Sequence, residues 1–346
     1  MSKAADLANL IGNINAGGGG VNRNLIINGS MNVAQRGTVT GVANNAYTLD
    51  RFAFTYAQDG AFTVTQDSSA PDGFANSLKL DVTTADSSLA ASQYLIMEHK
   101  IEAQNLQHLH FGKSSAKNIA LSFYVKSNKT GTYGVSIIQS DNSSKIANLT
   151  YTINSADTWE QKSLTFTGDT SGVINDDNGI GLKLGFTLAV GSTWTSGDTS
   201  ASFRTFVNGN YGAGQTVNIL DHVDNEWFIT GVQLEVGQNP TEFEHEPIER
   251  TLAKCQRYYI EKEIHQIYRE LPSNTAEYMA EDFPVFMRAQ GTGIIKNQVQ
   301  YWSSGTPTNI TPGIYPRVDQ IRVVVGGLTN SRGFVSGGII ASDAEL

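Results

Sequence analysis

The sequence is poor in cysteine and in charge. Its 346 residues include one cysteine, Cys255, so no disulfide can form within the chain, and no Cys/His spacing of a zinc site occurs. Charged residues make up 16%, below the roughly 25% of an average soluble protein. With 24 basic and 33 acidic residues, the net charge of -9 argues against a nucleic-acid partner. The fold must therefore be held by packing or by association.

Long hydrophobic runs are also missing. No run of about 18 apolar residues occurs, and the first residues carry no apolar segment long enough for a signal peptide. We therefore expect no membrane insertion, and a protein of this kind would leave a cell by lysis or inside an assembled particle. The sequence has instead 34 glycines and 40% hydrophobic residues. This composition predicts packed cores beneath a neutral surface of amides and hydroxyls.

Residues 1–15 predict a short amphipathic helix with an apolar stripe. Ala4, Leu7, Ala8 and Ile11 recur at helical spacing. A helix of this length is marginal in water by itself, so we expect its stripe to need a partner. The glycine-rich residues 16–21 follow as a flexible hinge.

Residues 22–247 predict many short strands separated by turns. Over 118–127 the apolar residues alternate with small or polar ones, and over 181–190 the alternation is stronger, as in strands with one buried face. In WFITGVQLEVG at 227–237, strict alternation places Phe228 on the same face as Val232 and Leu234, and opposite to Trp227 and Ile229. Further strands are predicted at 52–56, 62–64, 78–82, 133–137 and 164–166. Many strands without intervening helices indicate a sandwich or jelly roll.

A proline-bounded acidic segment at 240–247 separates a smaller domain, residues 248–346. Its pattern predicts a helix over 248–257 and strands over 258–268, 293–302, 320–326 and 333–341. The predicted fold is therefore all-β: a jelly-roll β-sandwich with a short N-terminal helix and a smaller β-rich C-terminal domain.

Aromatic side chains in polar loops are the candidate glycan contacts. The C–H face of a sugar stacks on an aromatic ring, while amide and hydroxyl groups bind its hydroxyls. Trp194 lies in the loop GSTWTSGD, and Tyr211 lies in NGNYGAGQ. The alternative for both is packing within a loop or a subunit interface. Trp159 and Trp227 adjoin strand patterns, so we expect them in the core.

Metal and enzyme motifs are weak or missing. His108 and His110 would share one face of a strand but lack a third ligand nearby, and Asp176, Asp177 and Asn178 before a glycine indicate first of all a turn. No GxSxG, P-loop, GxGxxG or HExxH pattern occurs. We therefore predict no catalytic residues, no metal and no cofactor. A pair of glycosidase carboxylates from distant strands would leave no local motif, so a glycan depolymerase stays an alternative.

Five strings taken together resemble one protein family. They are NLIINGSMNVAQRG at 24–37, YTLDRF at 47–52, WFITGVQLEVG at 227–237, FEHEPIERTLAKCQRYY at 243–259 and ASDAEL at 341–346. They are similar to tail-fibre and related virion-surface proteins of tailed bacteriophages, especially marine ones. The resemblance covers the chain from about Asn24 to its last residue. It implies a jelly roll like that of carbohydrate-binding modules, followed by a small C-terminal domain.

The resemblance also implies a role and partners. It implies a virion appendage, usually a homotrimer, that attaches without catalysis to polysaccharide of the host surface. The helix with Ala4, Leu7, Ala8 and Ile11 would then anchor the chain to other virion proteins. The expected location is the virion surface, after assembly in the host cytoplasm and release by lysis. A head fibre or capsid decoration protein of the same fold is the first alternative.

Overall fold

The computed structural model divides the chain into two compact units, Met1–Ile248 and Glu249–Leu346. It describes residues 3–4, 7–8, 11, 22–141, 144–263, 267–270, 277–297, 299–303, 306–325, 332–336 and 339–346. Among these residues there is no helix whose length and hydropathy would let it cross a membrane. Near the N-terminus, Ala4, Leu7, Ala8 and Ile11 are helical and exposed.

The first unit contains two antiparallel sheets. Its strands are β1 Ala46–Tyr47, β2 Phe52–Ala57, β3 Ala61–Asp67, β4 Ser77–Thr84, β5 Tyr94–Glu102, β6 Ile119–Ser127, β7 Gly131–Gln139, β8 Lys145–Ile153, β9 Glu160–Phe166, β10 Ile180–Val190, β11 Ser200–Thr205 and β12 Glu226–Val236. One sheet has seven strands in the order β1-β2-β5-β10-β7-β8-β11. The other has five in the order β3-β4-β12-β6-β9. The predicted jelly-roll β-sandwich is confirmed.

The core lies between the two sheets. Alternate residues of β6 and β10 enter it, as their sequences predict; Phe123 packs edge-on against Phe186 with ring centroids 5.0 Å apart. Trp227 is fully buried there, as predicted. Burial of such large apolar surfaces is the main source of stability for a sandwich without disulfides.

Strand β12 departs from the alternation predicted for it. Trp227, Ile229, Val232 and Leu234 all point into the core, whereas Phe228 points out. The pairing of β12 with β6 shifts between Thr230 and Gln233, which is a β-bulge. One extra residue in a strand turns all later side chains to the opposite face, so the predicted faces were wrong for this strand.

The beginning and the end of the sandwich are joined by buried polar contacts. The carboxylate of Glu235, fully buried on β12, accepts hydrogen bonds from Thr241 N at 2.7 Å and Thr241 Oγ1 at 2.8 Å, and lies 3.4 Å from Arg23 Nε. Glu244 accepts hydrogen bonds from the backbone N–H groups of Arg23 and Asn24 at 2.8 and 3.0 Å. These contacts connect the segment before the first strand with the segment that follows β12.

The described residues of the second unit form one helix and three small sheets. Its elements are α1 Ile248–Gln256, β13 Tyr259–Glu263, β14 Ile267–Glu270, β15 Glu277–Asp282, β16 Thr292–Ile295, β17 Val299–Ser303, β18 Thr306–Ile310, β19 Gly313–Pro316, β20 Gln320–Val325, β21 Arg332–Ser336 and β22 Ile339–Asp343. The predicted strands over 258–268, 293–302 and 333–341 each overlap two of these strands. The sheets are β13-β22-β16, β14-β21-β17-β18 and β15-β20-β19.

The chain just after helix α1 and the last described residues of the second unit meet through a backbone hydrogen bond. Cys255 on α1 is fully buried, as expected. The backbone N–H of Ala344, in the last string, donates to the carbonyl of Tyr258 at 2.7 Å. Val299, Ile321, Val323 and Ile340 form the main apolar cluster among the described residues of this unit.

Candidate functional site

The predicted residues Trp194 and Tyr211 lie together on the outer face of the seven-stranded sheet. The chain between β10 and β12 crosses this face and covers Ile96, Ile138 and Ile146. Tyr211 is buried among them, and Trp194 is half-buried at the edge of the same cluster. The structure thus brings the two candidates together, with ring centroids 6.0 Å apart.

Tyr211 donates a hydrogen bond to a carboxylate. Its hydroxyl lies 2.8 Å from Glu98 Oε1, and only 8% of the residue is exposed. Burial, and then the nearby charge of Glu98, raise the pKa of Tyr211 well above its usual value, so the phenol stays protonated and donates. Glu98 also accepts from Thr55 Oγ1 at 3.2 Å and lies 3.7 Å from Lys183 Nζ. In this arrangement the hydroxyl of Tyr211 is engaged by the protein itself.

Trp194 packs within its loop on one side. Its ring meets the Tyr94 ring edge-on at 4.8 Å, and its indole N–H donates to the Ser92 carbonyl at 2.8 Å. Part of the indole remains at the surface. These contacts are those of the loop-packing alternative, and contact of Trp194 or Tyr211 with a glycan stays a prediction.

A second set of aromatic side chains lies on the outer face of the five-stranded sheet. Because side chains alternate along β6, Tyr124 and Lys126 point outward while Phe123 and Val125 enter the core. Phe228 points outward on neighbouring β12, where it pairs with Lys126 across the sheet. Trp159, Phe228, Tyr124, Phe74 and Phe243 together are called the aromatic row below.

The rings of the aromatic row follow one another across the sheet. Trp159 lies 6.2 Å from Phe228, Phe74 lies 5.4 Å from Tyr124, and Phe243 lies 5.0 Å from Phe74. Residues two apart in a strand are about 6.7 Å apart. Tyr124 and Lys126 on β6 therefore connect the pair Trp159–Phe228 with the rings of Phe74 and Phe243. Phe228 is buried, whereas the other four members are half-buried and keep part of their surface in solvent. Trp159 was predicted in the core; it lies instead on this outer face.

Polar groups surround the aromatic row. Lys126 Nζ lies 4.0 Å from the centre of the Phe228 ring, a cation–π contact, and donates to Ser69 Oγ at 2.7 Å. Lys79 Nζ lies 2.6 Å from Glu226 Oε1. Glu160, beside Trp159, accepts from Asn154 and Lys162; these bonds outweigh the opposing effect of burial and lower the pKa of Glu160 to about 2. The row is therefore a set of partly exposed rings with charged and hydrogen-bonding groups beside it.

This arrangement suits contact with sugar rings. Partly exposed aromatic side chains can pack against the C–H faces of sugars, and nearby amide, ammonium and carboxylate groups can bind sugar hydroxyls. The row was not predicted from the sequence because its members come from distant parts of the chain. One signal was present: Tyr124 stands on the polar side of the alternating string NIALSFYVKS.

The histidine pair predicted on a strand lies elsewhere. His108 belongs to a 3-10 helix over Ala103–Leu109, and His110 follows it in the left-handed conformation, so the predicted shared strand face was wrong. Asp177 accepts a hydrogen bond from Gly179 N at 2.8 Å within a turn. In the described part of the chain, no three His, Cys, Asp or Glu residues are grouped so that they could hold a metal ion.

Comparison with solved structures finds proteins that are weakly similar to this chain. No protein-family model and no curated protein sequence matches the chain. The enzymatically active domain of tailspike protein 4 of bacteriophage CBA120 is 13% identical with a TM-score of 0.32, and the match covers 57% of this chain. This chain spans only 21% of that tailspike domain.

Two carbohydrate-binding modules match over almost their whole length. A family 4 module is 16% identical with a TM-score of 0.31, covering 61% of this chain and 99% of the module. A family 11 module from Clostridium thermocellum, solved with a mixed-linked tetrasaccharide, is 10% identical with a TM-score of 0.28, covering 60% and 98%. Similarities of this strength carry no argument about what this chain binds.

Proposed function

We propose that this protein is a non-catalytic, glycan-binding tail fibre of a tailed bacteriophage, attached to polysaccharide of the host surface through its β-sandwich. The observation that carries the glycan-binding part is the aromatic row, four of whose five rings keep a solvent-exposed surface on one face of a sheet. The resemblance of the five strings to phage virion-surface proteins supports the virion part. The proposed location is the virion surface.

The proposed mechanism is multivalent attachment. Each row would bind a short stretch of polysaccharide weakly, since an aromatic contact contributes on the order of 1 kcal/mol beyond the area that it buries. A homotrimer, proposed from the resemblance, would present three such sites, and the effective concentration of the second and third sites turns weak contacts into firm adsorption.

The test is substitution within the row. Trp159→Ala and Tyr124→Ala, made singly in the full chain, are expected to weaken binding to purified host-surface polysaccharide about tenfold each, because each removes one stacking ring. Isothermal titration calorimetry measures the effect, with circular dichroism as the check on folding. Trp194→Ala is the comparison variant on the opposite face. If Trp194→Ala weakens binding and the two row variants do not, the aromatic row is not the glycan site.

The absence of catalysis and the position in the particle need separate measurements. A clearing-zone assay on host polysaccharide is expected to show no degradation, and clearing would favour a depolymerase. Immunogold labelling of intact particles is expected to mark the tail. Labelling of the head would favour the head-fibre or decoration alternative of the same fold.

A further inference from the structure

The C-terminal unit contains a cleft that is separate from the aromatic row. Its volume is about 780 Å³, and its lining includes Tyr315, Arg317, Asp319, Arg322 and Gln290. Small-molecule sites in proteins usually have volumes of about 300–1,000 Å³. The cleft therefore has room for a ligand of oligosaccharide size.

The sheet β15-β20-β19 positions two of the lining side chains next to each other. Ile321 and Val323 of β20 are buried in the core, so Arg322 between them points to the opposite face. Tyr315 pairs with Arg322 across the antiparallel strands and shares that face. On the other side, Arg322 pairs with Ala280, which carries only a methyl group, and Arg322 is half-buried.

The lining combines an exposed ring with positive charge. Tyr315 is 58% exposed, which is unusual for an aromatic ring of this size. Arg317 lies in the turn after β19 and is exposed, and the one lining carboxylate is that of Asp319. Asp282 stands on the same face, at the end of β15, outside the cleft lining. In the described part of the chain, neither Arg317 nor Arg322 lies within ion-pair distance of a carboxylate.

We propose that this cleft binds an anionic saccharide, a sugar ring carrying a carboxylate or a phosphate. The planar guanidinium of Arg322 binds the anionic group through paired N–H donors, and the Tyr315 ring stacks on the sugar. Gln290 and Asp319 bind neighbouring hydroxyls. The choice of a saccharide rests on the proposed function, whereas the preference for negative charge rests on the two arginines.

The experiment compares charged and neutral forms of one sugar chain. Binding of a galacturonate hexamer to the full-length protein is measured by calorimetry, beside the same hexamer with its carboxylates methyl-esterified. We expect the acidic form to bind at least tenfold more tightly at low salt, and its affinity to fall as salt increases. Glucose 6-phosphate beside glucose forms the second arm, which tells whether phosphate serves as well as carboxylate.

Variants assign the effect to the cleft. Arg322→Gln is expected to reduce binding of the acidic hexamer about tenfold, and Arg322→Lys to restore only part of it, since lysine lacks the planar fork. Lys262→Gln, the same charge change on β13 outside the cleft, is the control. Equal binding of both hexamers would overturn the proposal. An unchanged affinity of Arg322→Gln for the acidic hexamer would overturn it as well.

The experiments distinguish failure of the cleft proposal from failure of the proposed glycan site on the aromatic row. Trp159→Ala is expected to leave binding of the acidic hexamer unchanged, because the aromatic row belongs to the other unit. If the cleft variants lose the acidic hexamer while the row variants keep the host polysaccharide, the cleft stands and the proposed site on the sandwich does not.

Discussion

At the scale of single residues, Gly231 explains how the aromatic row and the bulge of β12 coexist. Its φ is +62°, a conformation that glycine adopts without cost and other residues rarely adopt. A Cβ placed on Gly231 would lie 2.7 Å from Cζ of Phe74 and 3.0 Å from Cδ2 of Tyr124. The missing side chain therefore makes room for two members of the row.

Gly231→Ala is expected to reduce the free energy of unfolding by about 2–4 kcal/mol, because the left-handed backbone and the crowding of the two rings both cost energy. Urea denaturation measures the loss. Gly37→Ala is the matched control, since Gly37 has a φ of +67° and a Cβ added there would meet no atom within 4 Å. It should lose only about 1–2 kcal/mol. Equal losses in the two variants would contradict the crowding of Phe74 and Tyr124.

A second residue-scale feature is the buried imidazole of His99. Its Nε2 lies 3.2 Å from the backbone N of Ile27, and its ring packs edge-on against Phe52 at 5.1 Å. Burial, and then the positive charge of Arg51, hold the pKa of His99 well below its usual 6.5. The folded protein therefore keeps this ring neutral at pH values where the unfolded chain already binds a proton.

The pH dependence of stability follows from that difference. Above pH 6.5 both states are neutral at His99, and as the pH falls below 6.5 the unfolded state gains a proton that the folded state does not bind. We expect the free energy of unfolding to fall between about pH 6.5 and pH 5, with a limiting slope of about 1.4 kcal/mol per pH unit. His99→Gln should show a shallower slope in thermal melts over this range. If stability falls equally steeply with pH in the unchanged protein and in His99→Gln, His99 is not the source of this pH dependence.

At the scale of elements, the predictable strands were those whose large apolar side chains fall on one face. Along β6 and β10 these side chains enter the core, whereas the opposite face carries small or polar residues such as Gly185 and Thr187 of β10. Strand β5 was not predicted, because its string YLIMEHKIE does not alternate. Leu95 and Met97 enter the core, while Ile96 on the opposite face is covered by the loop that carries Tyr211. Large apolar side chains on both faces of a strand leave no period-two pattern.

The contacts of the buried Glu235 carboxylate are expected to contribute to the stability of the sandwich. Glu235→Ala is expected to reduce the free energy of unfolding by about 3–5 kcal/mol, because it removes the acceptor for Thr241 and the counter-charge for Arg23 in a buried site. Urea denaturation of the full chain measures it. Glu226→Ala on the same strand is the control: its pair with Lys79 is partly exposed, so the expected loss is below about 1 kcal/mol. A loss of similar size in both variants would show that Glu235 does not hold the ends of the sandwich together.

At the scale of the whole molecule, the fold was more predictable than the site. The fold follows from alternation and turns within short strings. The aromatic row joins Phe74, Tyr124, Trp159, Phe228 and Phe243, which come from distant parts of the chain. The pairing of β6 with β12 and β9 and the packing of Phe74 against Tyr124 and Phe243 bring them together. Trp194 was predicted instead because its loop is polar, but Tyr94 and Tyr211 pack against it.

The apolar stripe of the N-terminal helix, which includes Leu7 and Ile11, is expected to anchor the protein in the particle. Leu7 is 57% exposed and Ile11 is 49% exposed, so both are available to a partner. Burying two such side chains contributes about 3–6 kcal/mol, so the double variant Leu7→Asn/Ile11→Asn is expected to reduce incorporation into particles at least a hundredfold. Quantitative immunoblotting of purified particles measures it, with Lys3→Gln as the control that keeps the stripe. Because the stripe lies outside the sandwich, the melting temperature and the glycan affinity of the soluble double variant should equal those of the unchanged protein. Normal incorporation of the double variant would show that another part of the chain anchors it.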